Sequence, residues 1–360
     1  MSAGTLGVVV VGAGHGCRVH VPAARNAGLD VVGVVGRDRD KTAKRAARVG
    51  VDLVFTSLEQ ALKVPGTDAV IISTPPHTHA ALTEEAIGAG RHVLVEKPFT
   101  VDAAEARRLQ ALAEHAGVVA LVGHEFRFSA DRMTLRGAIT DGVIGTPRLA
   151  TFVGHNAFAA PLDLRMPGWW FDPAQGGGWL GASVSHIIDA IRWWLGEFDA
   201  VSAELPMVSD RDRGTLAEDS VSARFRMTSG CEGVLQQSAA VWGSLLNLFR
   251  VAGPLGTLDI VGDTVRLSDA DGQRELDPIA PPATVDVEVG SDPRNPFSHI
   301  EIPATTTQAQ IFADMIAGTP IDPTLQPASF ADGVACMEVI DAIRASAADG
   351  GRVVTLKGQP

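Results

Sequence analysis

Five short runs built almost wholly of Val, Ile, Leu, Ala and Gly recur through the first third of the chain: LGVVVV (6–11), VVGVV (31–35), AVIIS (69–73), HVLVE (92–96) and VVALVG (118–123). None shows the polar alternation of a half-exposed strand, so each reads as a strand buried on both faces. Between them, near 16–28, 39–49, 77–90 and 102–116, lie helical patterns. Buried strands alternating with helices predict a doubly wound parallel sheet covered on both sides. No internal repeat beyond this alternation is visible.

The first strand-to-helix turn is GAGHGC, residues 12–17. Gly12 permits a tight turn, and Gly14 lets the backbone approach a pyrophosphate at a helix N-terminus. Cys17 stands where a third Gly is usual, as a small residue the packing role tolerates. A glycine turn after a strand, before a helix and near the N-terminus predicts dinucleotide binding, with His15 and Gly16 among the contacts. Cofactor choice is read about 20 residues on, where an acid would hold the ribose 2′-hydroxyl. The sequence there is VVGRDRD, with Gly36 at the acidic position and Arg37 after it. A small residue followed by Arg suits a 2′-phosphate, which favours NADP. In the competing reading Asp38 reaches the ribose, Arg37 is merely solvated, and the cofactor is NAD.

The stretch VLVEKPFT (93–100) ends an apolar strand on Glu96, Lys97 and Pro98. At the carboxyl end of a central parallel strand, Lys97 lies on the edge where such sheets bind ligands. Pro98 disfavours the helical region for Lys97 and holds it extended, so its ammonium is aimed. Beside a nicotinamide, that ammonium can donate to a substrate oxygen or carry its proton. STPPHTH (73–79) forms a second edge of the same crevice, which adds Thr74, Pro75 and His79, with Glu96, to the expected cofactor contacts. His77 and His79 form an H-x-H without a nearby Cys or carboxylate, so no metal site is expected.

Composition narrows the function classes. A formal net charge of -12 argues against nucleic acid or an anionic membrane as partner. Three scattered Cys, 17, 231 and 336, indicate neither a disulfide framework nor a zinc site. No basic n-region and no bilayer-length apolar run are present, so a soluble cytoplasmic protein is expected. The chain has no Tyr, which excludes any mechanism with a tyrosine proton donor. At 360 residues, two domains are expected, 1–123 and 124–360, with the last helix and strand packing back on the first.

Past residue 123 the rhythm changes. A helix is expected over 131–141 and another over 178–195. Strands are expected near 148–154, 200–206, 219–228, 232–240, 247–253, 256–261 and 264–268, joined by short turns into a mostly antiparallel open sheet. The Pro- and Asp-rich stretch 279–299 reads as a long loop, either an arm across a partner or a mobile excursion. Helices over 304–317 and 327–348 close the chain.

Six motifs occur in order: GAGHGCRVH (12–20), STPPHTH (73–79), EKP (96–98), GHEFRF (123–128), PGWWFD (167–172) and GGGWLGASVSHIIDAIRWWLG (176–196). With them the chain resembles the glucose–fructose oxidoreductase, inositol dehydrogenase and rhizopine-catabolism (Gfo/Idh/MocA) family over nearly its whole length. The resemblance implies that Lys97 is the catalytic lysine, that the Lys97–Pro98 peptide is cis, and that His186 binds or protonates the substrate oxygen. The family pairs that His with an Asp four residues earlier. Here that position is Ala182, and Asp189 remains one turn later. Strand alternation in GHEFRF puts Glu125 and Arg127 on one face. Glu125 can then supply the missing carboxylate while Arg127 anchors a substrate oxygen; the alternative is an ion pair between domains with no catalytic part. Trp169 and Trp170 are expected to wall the pocket, unless they simply pack the core.

These readings converge on an NAD(P)-dependent oxidoreductase acting on a sugar, cyclitol or related polyol, with Lys97 and His186 polarising the reacting oxygen. Two other classes stay open: a redox-neutral lyase or isomerase with a transiently oxidising bound cofactor, and a cofactor-sensing regulator. By resemblance, and because an open apolar sheet face is a liability in a monomer, a homodimer or homotetramer is expected.

Overall fold

The computed structural model describes residues 5–163, 166–211, 217–282, 285–288, 292, 295 and 297–356. The chain forms two compact units. The first gathers the described residues up to Thr100, then 104–129 and 280–334; the second gathers 101–103, 130–279 and those from 335 on. Among the described residues no helix is long and apolar enough to cross a membrane.

The first unit is built on β1 (Gly7–Val11), β2 (Asp30–Val35), β3 (Val54–Phe55), β4 (Ala69–Ile72), β5 (His92–Glu96) and β6 (Ala120–Gly123). Their order is β3-β2-β1-β4-β5-β6, every neighbouring pair parallel. Val8, Val9 and Val10 have no exposed surface, which is why the strand sequences carry no polar alternation. The two residues of β3 are too few to leave a period, and the sequence reading passes over them. Connecting helices are α1 (Val21–Asn26), α2 (Arg39–Ala46), α3 (Leu58–Leu62), α4 (His79–Gly88) and α5 (Ala103–Ala116). Much of the 279–299 stretch lies outside the described residues, and with it the reading of an arm or excursion. The helix after it, α8 (Ser298–Ala317), starts before the expected residue 304 and contains Pro303 within its second turn. Ala309 and Phe312 of α8 join the core that Val8, Val10, Val21 and Ala24 form on one side of the sheet.

The second unit contains α6 (Ala130–Thr140), β7 (Leu149–His155), α7 (Ser185–Leu195), β8 (Phe198–Glu204), β9 (Ser220–Met227), β10 (Glu232–Ser238), β11 (Leu246–Ala252), β12 (Gly256–Val261), β13 (Thr264–Asp269), β14 (Gly272–Glu275) and β15 (Val354–Thr355). The final helix, α9, spans Phe330–Ala348. The strands form one sheet of order β14-β13-β12-β11-β7-β10-β9-β8-β15. Its neighbours are antiparallel except β7 and β10, which run parallel with Leu235 beside Phe152. Period-two patterning is plain in β9: Val221, Ala223, Phe225 and Met227 are buried, while Arg224 and Arg226 are exposed. Phe152 anchors the buried face, stacked between Trp194 and Phe225 and edge-on to Phe249. The opposite face is more polar than an apolar liability would be. It carries Arg–acid pairs such as Arg226–Asp199 and Arg266–Glu275 beside Val153 and Val234.

Candidate active site

The 3-2-1-4-5-6 strand order reverses direction between β1 and β4, and the crevice at that switch point is where such sheets take ligands. Gly12 closes the turn after β1 at φ +111°, and a Cβ there would lie 2.1 Å from the Ser73 carbonyl oxygen at the end of β4. Only glycine fits. Around Gly14 nothing lies within 4 Å of an added Cβ, so the backbone is open on the ligand side. Gly16 presses on β1, with an added Cβ at 2.7 Å from Val10 Cγ1. The close helix–strand packing expected at position 17 therefore belongs to Gly16. Cys17, one residue on, is buried in the core, and burial pushes its thiol up.

At the end of β2, a Cβ on Gly36 would sit 2.3 Å from Thr42 Oγ1, so a side chain there would have to displace that hydroxyl. The Asp38 carboxylate is committed locally: it caps α2 by accepting the Lys41 N–H at 3.0 Å and pairs with Lys41 Nζ at 3.2 Å. The Lys41 amide is the main reason its carboxyl titrates below the usual range. Arg37 is exposed.

Thr74 and Pro75 form the turn after β4, where the Thr78 hydroxyl reaches Thr74 Oγ1 at 2.7 Å and the Pro75 carbonyl at 2.8 Å. His79, expected at the cofactor, is fully buried. Its Nε2 faces the Thr74 carbonyl at 2.9 Å, and its Nδ1 faces those of Pro98 and Phe99 at 3.1 and 3.2 Å. The imidazole ties the ends of β4 and β5 together.

β5 delivers a cluster of ionisable groups. The Lys97–Pro98 peptide is cis, and Lys97 is half-buried. Glu96 Oε2 accepts the Lys97 backbone N–H at 3.2 Å, while Oε1 meets His20 Nε2 at 2.7 Å and His15 Nε2 at 3.7 Å. Burial alone would push the Glu96 carboxyl up. The His20 hydrogen bond and the pull of His20, His15 and Lys97 outweigh it and hold the group ionised. His15 is lowered to about 4, chiefly by burial and against the pull of Glu96. The donor atoms of His15, His20 and Glu96 lie within 4.8 Å of one another, a grouping of potential metal ligands that the sequence reading did not foresee. His20 was legible as the last residue of GAGHGCRVH; its partner lies 76 residues away.

GHEFRF does not continue as a strand. β6 ends at Gly123, and Glu125–Phe128 form a single 3-10 turn, so period-two alternation does not apply. Glu125 and Arg127 are nevertheless both buried. Burial, then Glu96, pushes the Glu125 carboxyl up to about 8 against the opposing pull of Lys97, and Glu301 adds to the rise. Glu301 comes from the first turn of α8, a contribution no local motif announces. Arg127 donates to Asp332 Oδ1 at 3.0 Å and to the Gln326 carbonyl at 3.1 Å. The structure thus brings together His15, Glu96, Lys97 and Glu125, with His20 and Glu301 added.

The other expected site residues belong to the second unit. His186 lies in the first turn of α7, and Asp189 is buried one turn further on. Ahead of α7 runs a wide i→i+5 turn, Leu180–Val184, of a kind that recurs at functional sites. Of residues 179–186, only Trp179, Ala182 and Ser183 are half-exposed; the rest are buried. Trp170 is half-buried, with ring contacts to Trp169, Trp179 and Phe158.

Residues 6–124 match an oxidoreductase family described by its NAD-binding Rossmann fold, and residues 133–259 match the GFO/IDH/MocA C-terminal domain. The chain is a GFO/IDH/MocA-family oxidoreductase. Among family relatives, it is 32% identical over 211 residues to 1,5-anhydro-D-fructose reductase of Ensifer adhaerens, an alignment covering 58% of this chain and 62% of that one. It is 26% identical over 240 residues to myo-inositol 2-dehydrogenase of Thermotoga maritima, covering 65% and 70% respectively. A levoglucosan dehydrogenase solved with NADH and levoglucosan shares the fold at TM-score 0.83 and 22% identity, over 98% of this chain and 99% of that one.

Proposed function

We propose that this family member is an NADP-preferring dehydrogenase or reductase of a sugar, cyclitol or related polyol, with Lys97 and His186 polarising the reacting oxygen. The observation that carries the reading is Lys97. It stands at the carboxyl end of a central strand of a dinucleotide-binding sheet, its backbone N–H accepted by a carboxylate that two imidazoles border. The relatives point the same way, since their names specify anhydrofructose, inositol and levoglucosan.

A bound nicotinamide accepts or supplies the hydride; the protein's part is to hold the substrate oxygen and manage its proton. The Lys97 ammonium donates to that oxygen. Glu125, with its carboxyl near 8, exchanges a proton close to neutral pH and suits a relay from the reacting oxygen. NADP is preferred over NAD because Gly36 supplies no acid, Asp38 is occupied in capping α2, and Arg37 is exposed to meet a 2′-phosphate. Self-association belongs to the same reading. The outer face of the nine-stranded sheet sets Val153, Val234 and Leu246 among Arg224 and Gln236, the mixed composition of a subunit interface.

The test is Lys97→Met, assayed with a panel of cyclic sugars and polyols by net NADP(H) conversion. Turnover should fall by about a thousandfold or more while NADPH affinity holds within about threefold. Full activity in the variant removes the central role of Lys97. Product formed by the wild type without net cofactor conversion assigns a redox-neutral lyase or isomerase instead.

A further inference from the structure

The chain has six Trp, and the second unit treats them differently. Trp193 and Trp194 on α7 are core residues, 7% and 5% exposed. Trp170 and Trp179 are half-exposed and lie together with half-exposed Phe158. Ring centroids are 5.8 Å apart for Phe158–Trp170, 6.2 Å for Phe158–Trp179 and 6.5 Å for Trp170–Trp179, with interplanar angles of 45°, 29° and 42°. The three side chains thus form one contiguous aromatic cluster, Phe158 stacked with Trp179 and Trp170 tilted against both.

The GGG run at 176–178 is what lets the rings meet. A Cβ on Gly177 would fall 2.2 Å from the Trp169 carbonyl oxygen, and one on Gly178 would fall 2.2 Å from Glu218 Oε1. The Gly178 N–H donates to the Trp170 carbonyl at 3.0 Å, which draws the Trp170 turn onto the start of the next helical segment. Glu218 fixes Trp179 from the other side: its carbonyl accepts the Trp179 N–H and its carboxylate the Leu180 N–H, each at 2.9 Å. The Trp179 indole nitrogen is buried and has no hydrogen-bond partner among the described residues, a donor still lacking an acceptor. Ala182, three residues on, is also half-exposed.

We propose that Phe158, Trp170 and Trp179 determine specificity as the floor on which a six-membered polyol ring, a pyranose or cyclitol, lies by its C–H face. This rests on the reading that the second unit receives a sugar or cyclitol, and it narrows that class to ring forms. A ring with mainly equatorial hydroxyls presents axial C–H groups on each face. That surface is apolar and slightly electropositive, and it matches the electronegative face of an indole. The hydroxyls project around the rim, where polar groups can bind them. Half-exposed rings whose backbone is fixed by hydrogen bonds fit this role, in contrast to the buried Trp193 and Trp194.

Saturation-transfer NMR on the full chain, with methyl β-D-glucopyranoside and myo-inositol as probes and D-sorbitol as the acyclic control, needs no variant. Transfer should be strongest at the axial ring protons, and sorbitol should bind about tenfold more weakly than either ring. Trp179→Ala and Trp170→Ala should each weaken ring binding about tenfold, Trp179→Phe should restore it to within about threefold, and NADPH affinity should not move. Equal binding of sorbitol, no binding of either ring probe, or unchanged binding in both alanine variants overturns the proposal. Turnover separates the two readings. Rings that bind through these side chains without conversion of any polyol would sink the dehydrogenase and leave the floor standing. Conversion with the same KM in Trp179→Ala would do the reverse.

Discussion

The two sheets solve burial in opposite ways. The central strands of the parallel sheet are covered on both faces, so the groups open to a ligand gather at the strand ends. There the backbone dictates the site: Gly12 against Ser73, Gly36 against Thr42, and Lys97 following Glu96. The nine-stranded sheet buries one face and shows the other, so side chains along the length of its strands are open to contact. A sealed sheet localises function, and a half-open one distributes it.

The sharpest way to break this contrast is to place the same charge in both. Val9→Asp in β1, at a position with no exposed surface, should prevent folding, because an unpaired carboxylate there has nowhere to go. Val234→Asp in β10 sits at a position 41% exposed and opposite Arg224, and should shift the melting temperature by no more than about 2 °C. If the outer face pairs subunits, light scattering should show the second variant moving from an oligomer towards 37.7 kDa. A wild type that already runs at that mass discards the pairing.

At the strand ends the expected effect is smaller. Arg37→Ala should weaken NADPH binding by about tenfold in calorimetry and leave NADH unchanged. A wild type that binds NADH more tightly would return the ribose to Asp38. The mildest effect is pH-dependent and belongs to the sealed unit. The Glu125 carboxyl rises on folding from 4.5 to about 8, so the folded state favours its protonated form. Its contribution is complete below pH 4.5 and is lost as the pH climbs through 8. Thermal melts at pH 5 and pH 8.5 should therefore show a decline in the wild type that Glu125→Gln reduces. Parallel slopes would mean that Glu125 titrates ordinarily.

What could be read in the sequence follows the same divide. Uninterrupted Val/Ile runs and glycine turns are local signals, and they located the parallel sheet and its first glycine turn to within a residue or two. The parallel pairing of β7 with β10 is invisible to local pattern, because β10 follows β9 by a short turn and only the register records its second neighbour. Two-residue β3 leaves no period. Strand alternation failed at Glu125 because the chain turns into 3-10 geometry directly after Gly123. Glu301, Glu218 and the pairing of Trp170 with Trp179 depend on segments that meet only in the fold, and no spacing rule links them. Gly16 was within reach: it is the residue before Cys17, and only its closeness to Val10 distinguishes their roles.

The far edge of β6 has a further consequence. Leu121 bridges to Ser329, the Val122 N–H donates to the Ala328 carbonyl at 2.8 Å, and Gln308 Nε2 donates to the Val122 carbonyl at 2.8 Å. The edge strand of the N-terminal sheet is thus closed by chain that leaves the ribosome some 200 residues later, after every strand of the second unit but β15. Throughout that interval the nascent sheet carries an open strand edge, a template for pairing with other chains. The nucleotide-binding half is therefore not a module to be cut free at its last strand. A fragment ending near Ser129 retains the dinucleotide turn and Lys97 but not the polypeptide that seals the sheet beside them.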